Sequence, residues 1–190
     1  MFDAFSKEKA DFLKKIDKSR KGSIDKDIAK LIGIINSKGD YCTTSSCAGR
    51  IVLIEIGKKK NDCEWILAKH STVKFEEVKK AVSSYKGKNE LWIKQQALIL
   101  HVACRNLESA KEFLNLSRKI FKKAGIIAIT ENKVTVEVIG SHHLETVVKN
   151  KGFQIEGNSL KEIIKTANRN FLENRNKILD FEILVSNRII

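Results

Sequence analysis

The sequence predicts an α+β fold, with mixed or antiparallel sheets and packed helices. Three observations predict it. Short β-rich runs follow one another in threes, joined by tight polar turns, which favours antiparallel pairing. The order helix–strand–strand–strand–helix occurs twice, over residues 25–84 and 107–185. No G-x-G-x-x-G or G-x-x-x-x-G-K-[ST] run is present, so the chain lacks the usual Rossmann loop. A length of 190 residues fits one domain carrying an internal duplication.

Taken in order, residues 6–19 and 25–36 read as helices. In the second, Ile24, Ile28, Leu31, Ile32 and Ile35 recur at helical spacing. Gly22 and Ser23 precede it, and Asp25 and Asp27 suit the positive end of its dipole. Strands follow at Tyr41–Thr44, Arg50–Ile56 and Cys63–His70, the last two joined by a polar turn at Lys58–Asp62. Residues 74–84 read as a helix, and residues 90–104 as one long strand or two consecutive ones. The second half gives a helix over 107–123 and strands at Ile126–Thr130, Lys133–Ile139 and Leu144–Val148. A final long helix spans 159–185. Val134, Val136 and Val138 alternate with Thr135 and Glu137, the pattern of a half-buried strand.

Composition narrows the function classes. A formal net charge of +13, from 36 basic against 23 acidic residues, matches a polyanionic partner such as nucleic acid. The predominance of Lys over Arg and the absence of Pro fit biased composition equally well. No run approaches the length of a membrane span, and the N-terminus does not pattern as a secretory signal, so a cytoplasmic location is expected. Cys42, Cys47, Cys63 and Cys104 form no C-x-x-C pair, so no metal site is expected and the thiols should be reduced.

The strongest local signal is Thr43–Arg50, TTSSCAGR. Where the second copy has a plain hairpin turn at Thr130–Lys133, the first carries hydroxyls, a thiol, a glycine and an arginine. Gly49 permits a tight backbone, Ser45 and Ser46 offer donors and acceptors, and Arg50 offers a fork that matches phosphate or carboxylate. The alternative is a turn whose serines satisfy their own backbone. Cys47 is also a possible nucleophile, with no partner base visible in sequence. Alternation along Ile99–Arg105 puts Ile99, His101, Ala103 and Arg105 on one strand face. His101 and Arg105 there either orient an anionic group or serve as a core histidine and a capping arginine. Lys94 could touch phosphate or sit at a strand edge, and Trp65 and Trp92 are the largest surfaces for base stacking or for core packing. Asn168 and Asn174 fall near the apolar stripe of the last helix, placed to hydrogen-bond a ligand or an adjoining loop.

These residues resemble the tRNA wybutosine-synthesising protein 3 family. The resemblance rests on Lys21–Asp25 (KGSID), on Tyr41–Ile51 (YCTTSSCAGRI), on Trp65–Leu67 with His70, and on Leu91-Trp92 with Lys94. It continues through Ile99–Val102 (ILHV) with Cys104–Leu107 (CRNL), then Gly125-Ile126, Leu144-Glu145, Ala167-Asn168 and Asn174. It covers about residues 17–180. It implies a non-Rossmann α+β enzyme that uses S-adenosyl-L-methionine to methylate N(4) of a tricyclic wyosine-type guanosine. That base stands at position 37 of phenylalanine tRNA, whose anticodon arm is the implied partner. His101 and Arg50 are the implied catalytic residues. Ser45, Ser46, Cys47, Gly49 and Arg105 are assigned to the cofactor, and Lys94, His70, Glu145 and Asn168 to the substrate. The chain departs from the family pattern at Gln96-Ala97, where Glu-Pro is usual, and at Ile139 and Val147, where Arg and Pro are usual. Those departures motivate a second reading, a basic RNA-binding module without catalysis or a diverged paralogue acting on another modified base.

Overall fold

The computed structural model describes residues 3–14, 25–59 and 62–188. Its helices are α1 (Ala4–Leu13), α2 (Lys26–Ser37), α3 (Phe75–Ser84), α4 (Leu107–Ser117) and α5 (Gly157–Arg188). Its strands are β1 (Tyr41–Cys47), β2 (Arg50–Ile56), β3 (Glu64–Lys69), β4 (Glu90–Gln96), β5 (Ile99–Cys104), β6 (Lys123–Ile129), β7 (Val134–Ile139), β8 (Leu144–Asn150) and β9 (Phe153–Gln154). They form a four-stranded sheet in the order β1-β5-β7-β6 and a five-stranded sheet in the order β3-β2-β4-β8-β9. Every strand pair is antiparallel, and three of them, β2–β3, β6–β7 and β8–β9, join consecutive strands through short connections. The α+β class expected from sequence is the class observed.

The chain divides into two compact units. The first comprises Met1–Ala48, Leu98–Ser141 and Arg175–Ile190 and contains the four-stranded sheet. Its core joins Ile28, Leu31, Ile32 and Ile35 of α2 to Leu100 and Val102 of β5 and to Val134, Val136 and Val138 of β7. Those two sets are the helical stripe and the alternating strand read from the sequence. Phe113, Phe121 and Phe181 close this core edge-on, with ring centroids 6.1 Å apart for Phe113–Phe181 and 5.6 Å apart for Phe121–Phe181. On the other face of the sheet Phe5 of α1 packs on Cys42 and Ala103.

The second unit comprises Gly49–Ala97 and His142–Asn174 and contains the five-stranded sheet. Its core joins Ile51 and Leu53 of β2, Leu91 and Ile93 of β4, and Val148 of β8 to Leu160, Ile164 and Phe171 of α5. Lys149 donates to the carbonyls of Val82 and Tyr85 at 3.0 and 2.9 Å, placing a cation at the negative end of α3.

Four sequence expectations change. β1 and β2 do not form a hairpin: β1 pairs with β5, while β2 pairs with β3 and β4 in the other sheet. The two copies of the repeated order therefore pair differently, because β6 and β7 do form a hairpin. The helix expected over 107–123 ends at Ser117, where the Ser117 hydroxyl bonds back to the Phe113 carbonyl at 2.8 Å, and Lys123 opens β6. The short strand β9 carries no periodic signal at two residues long. The first helix is observed over Ala4–Leu13, and the rest of that expectation, with Lys21–Ile24, lies outside the described residues.

The aromatic contacts make Phe181 the keystone of the first core. Replacing Phe181 by Ala should cost about 3–5 kcal/mol in urea denaturation, through lost burial and the cavity left behind.

Candidate functional site

The serine-rich segment is anchored at its end by charge. Asp25, 7% exposed just before α2, accepts from the Ala48 amide at 3.0 Å. Arg175 of α5 donates to the Ala48 carbonyl at 2.9 Å and pairs with Asp27 at 2.8 Å. Both hydrogen-bonding groups of one buried residue are thus held by ionised side chains. Burial lowers the Arg175 pKa, against the pull of Asp27 and Asp25. Upstream, Asn36 accepts from the Thr43 amide and hydroxyl at 2.8 and 3.0 Å.

Within this anchored strand the hydroxyls of Ser45 and Ser46 make no hydrogen bond among the described residues. Ser45 lies in register with His101 across the β1–β5 ladder, and His101 lies in register with Glu137 of β7. The His101 Nε2 sits 2.8 Å from the Glu137 carboxylate. A carboxylate accepts, so this contact places the proton of a neutral ring on Nε2 and leaves Nδ1 as an acceptor. Cys47 ends the same strand, half-buried. Cys42 and Cys104 are pushed to higher pKa by burial, Cys104 to about 12, which leaves them inert packing groups.

Arg105 does not join His101. Its Nε donates to Asp40 at 2.5 Å, its Nη1 pairs with Asp3, and its Nη2 donates to the Ser6 hydroxyl at 3.3 Å and the Gly39 carbonyl at 3.2 Å. Its guanidinium lies 5.0 Å from the Phe5 ring centre. The fork offered by sequence to a cofactor is here engaged in fastening α1. The following Asn106 caps α4, accepting from the Ser109 amide at 2.9 Å.

In the second unit Gly49 is required by its surroundings. Its φ is +95°, and a Cβ there would stand 2.6 Å from the Gln96 carbonyl oxygen and 3.0 Å from the Asn174 amide nitrogen. Arg50 follows on β2. Its Nε donates to Gln96 Oε1 at 2.6 Å and its guanidinium carbon stands 4.2 Å from the Trp65 ring centre. Its two terminal nitrogens meet no acceptor among the described residues. Gln96 occupies one of the positions that departs from the family pattern. A neutral amide there orients Arg50 without cancelling its charge.

Lys94 on β4 pairs with Glu145 on β8 at 2.8 Å, and that hydrogen bond and charge hold the Glu145 carboxyl below the usual range. Asn168 is turned to an adjoining loop: it accepts from the Val73 amide and donates to the Val73 carbonyl, both at 2.9 Å. His70 directly follows β3 and is half-buried. Sequence reasoning missed Arg175 and Gln95. Arg175 carried no signal beyond its charge. Gln95 is 1% exposed on the core side of β4, and neither of its amide atoms meets a protein partner among the described residues. Its position between Ile93 and Ala97 on an alternating strand was the available clue.

In the first unit the uncommitted serine hydroxyls, and in the second the Arg50 fork, each suit a polar or anionic group. Comparisons with known proteins identify the class. The family model described as Methyltransferase TYW3 matches residues 7–187. A mouse protein named tRNA wybutosine-synthesizing protein 3 homolog is 33% identical over 181 residues, covering 92% of this chain and 70% of its own. A Pyrococcus abyssi protein named tRNA(Phe) 7-((3-amino-3-carboxypropyl)-4-demethylwyosine(37)-N(4))-methyltransferase 1 is 32% identical over 86% of both chains. The solved structure of the PH1069 protein from Pyrococcus horikoshii matches with a TM-score of 0.83 and 30% identity, over 95% of this chain and 93% of that one. Fold and matches together define a methyltransferase outside the Rossmann class. The chain belongs to the TYW3 methyltransferase family.

Three outcomes are expected. Gly49→Ala should cost about 1–3 kcal/mol in chemical denaturation, because the backbone is strained and the Gln96 carbonyl cannot move aside. Gly33→Ala on α2, where an added Cβ meets nothing within 4 Å, should be neutral or stabilising. The Lys94–Glu145 pair should contribute above the ordinary glutamate pKa of about 4.3 and lose its contribution as pH falls through the lower folded value. The melting-temperature gap between wild type and Glu145→Gln should therefore be small at pH 7 and close in acid.

Proposed function

We propose that the protein transfers a methyl group from S-adenosylmethionine to N(4) of a demethylated wyosine-type tricyclic guanosine at position 37 of phenylalanine tRNA. The observation that carries this reading is the state of Arg50. It is oriented by Trp65 and Gln96 beside a glycine that admits close backbone approach, and its terminal nitrogens are uncommitted. The names of the relatives from mouse and Pyrococcus abyssi support the substrate.

The cofactor supplies a methyl group activated on a sulfonium, so the protein's task is positioning and proton handling. Ser45, Ser46, Cys47 and Gly49 are the cofactor-facing residues in this reading, with the free serine hydroxyls as donors. Arg50 grips a carboxylate or phosphate of the bound molecules. On transfer the N(4)–C bond would form as the S–CH3 bond breaks with its electron pair kept on sulfur, so that the neutral thioether S-adenosylhomocysteine leaves and the N(4)–H proton is released. His101 Nδ1 accepts the released proton, and Glu137 stabilises the resulting imidazolium. Lys94 and Glu145 face the substrate, and His70 contributes from the end of β3. Asn168 acts indirectly, by holding the loop at Val73. The basic surface holds the anticodon arm. Among the described residues no helix is long and apolar enough to cross a membrane, in keeping with a cytoplasmic tRNA enzyme.

Nucleoside mass spectrometry tests this directly. Incubation with S-adenosylmethionine and phenylalanine tRNA carrying the unmethylated base should add one methyl to that nucleoside. Arg50→Ala should abolish turnover while keeping the wild-type circular dichroism spectrum, and His101→Ala should slow it about 100-fold. Full turnover by Arg50→Ala would remove Arg50 from the site. No methyl gain with the tRNA still bound would return the non-catalytic RNA-binding module as the better reading.

A further inference from the structure

The face of the five-stranded sheet turned away from its core carries an unusual row. Register places Trp65 of β3 beside Ile54 of β2, Ile54 beside Trp92 of β4, and Trp92 beside Val147 of β8. None of these four apolar residues belongs to the core of that unit. Each is half-buried, and Val52, between Arg50 and Ile54 on the same face of β2, is buried at the row's edge. The two indoles are two strand spacings apart, roughly 10 Å. Each also carries its own cation: Arg50 lies 4.2 Å from the Trp65 centre and Lys94 5.2 Å from the Trp92 centre.

We propose that this tryptophan row is a stacking platform for unpaired RNA bases, with Arg50 and Lys94 meeting the flanking phosphates. The proposal rests on the tRNA reading above and assigns a face of the protein to the unpaired loop. Its warrant is the pairing of the two chemistries at each point. A nucleotide presents a flat π-surface and an anion a few ångströms apart, and each half of the row presents an aromatic plane and a cation. Guanidinium planes also stack on bases, so Arg50 over Trp65 extends the platform rather than blocking it. An apolar peptide would use the rings and strand the cations.

The same face carries Glu90, which accepts from the Trp92 indole at 3.1 Å, and Glu145, paired with Lys94. Two carboxylates disfavour the dense phosphate array of a duplex. They leave stacking as the dominant contact, which selects single strands. With a chain net charge of +13, long-range attraction to RNA is supplied by the rest of the surface.

Trp65 and Trp92 are the chain's two tryptophans, so intrinsic fluorescence reports on this face alone. The full chain is titrated with single-stranded octaadenylate and with a blunt RNA duplex of equal length, and binding is followed in parallel by anisotropy of labelled RNA. Octaadenylate should quench tryptophan emission saturably and bind more tightly than the duplex. Trp65→Leu and Trp92→Leu should each weaken octaadenylate binding about tenfold, and Trp→Phe at the same positions should restore most of it. RNA binding without quenching, tighter duplex binding, or leucine variants that bind as wild type would overturn the platform. Should a leucine variant misfold, the wild-type quenching and duplex comparison still decide. Octaadenylate contains no wyosine-type base, so quenching without methyl transfer to tRNA sinks the proposed reaction and spares the platform, and the converse result does the reverse.

Discussion

Ala48 is held at both ends of its backbone by ionised side chains, and much of the site's geometry depends on that constraint. Asp25 takes its amide proton and Arg175 its carbonyl oxygen, at 3.0 and 2.9 Å. Ionised partners form the stronger class of hydrogen bond, yet burying them carries a desolvation cost of similar size. Their net worth to stability is therefore small compared with the positional precision they impose. That precision falls where β1 ends and Gly49 begins. The serines just upstream are then left with no hydrogen-bonding task of their own.

A second constraint is strand alternation. In each sheet one face is spent on a core against helices. The other face is free to carry polar and aromatic groups. In the first unit Ser45, His101 and Glu137 occupy it, and α1 covers part of it through Phe5 and the Arg105 network. In the second unit Arg50, Lys94 and the two tryptophans occupy it. The larger cores sit on the opposite face of the same strands, which leaves room here for polar and aromatic groups beside the smaller Phe5–Cys42–Ala103 cluster.

The local elements were legible to within a few residues where a period was strong. α2 and β7 show this, since their apolar positions repeat at helical and strand spacing and become buried rows. Legibility failed where partner choice mattered. The segment TTSSCAGR reads as a hairpin turn because its residues favour turns, yet it is mostly strand, stabilised by pairing with β5 far along the chain. Arg105 reads as an anion-binding fork from its face on β5. Its acceptors, Asp3, Ser6, Gly39 and Asp40, come from distant segments. Asn168 likewise looked equally suited to ligand or loop until Val73 supplied both of its hydrogen bonds.

The sequence by itself determined the α+β class, the basic charge, the absence of a Rossmann phosphate loop and the family resemblance. Each is a property of residue type, period or short-range spacing. Tertiary structure alone decided the sorting of β1 and β2 into different sheets, the pairing of His101 with Glu137, and the split between Arg50 and Arg105. The two arginines are chemically identical, and only long-range contacts leave one with free terminal nitrogens and surround the other with acceptors.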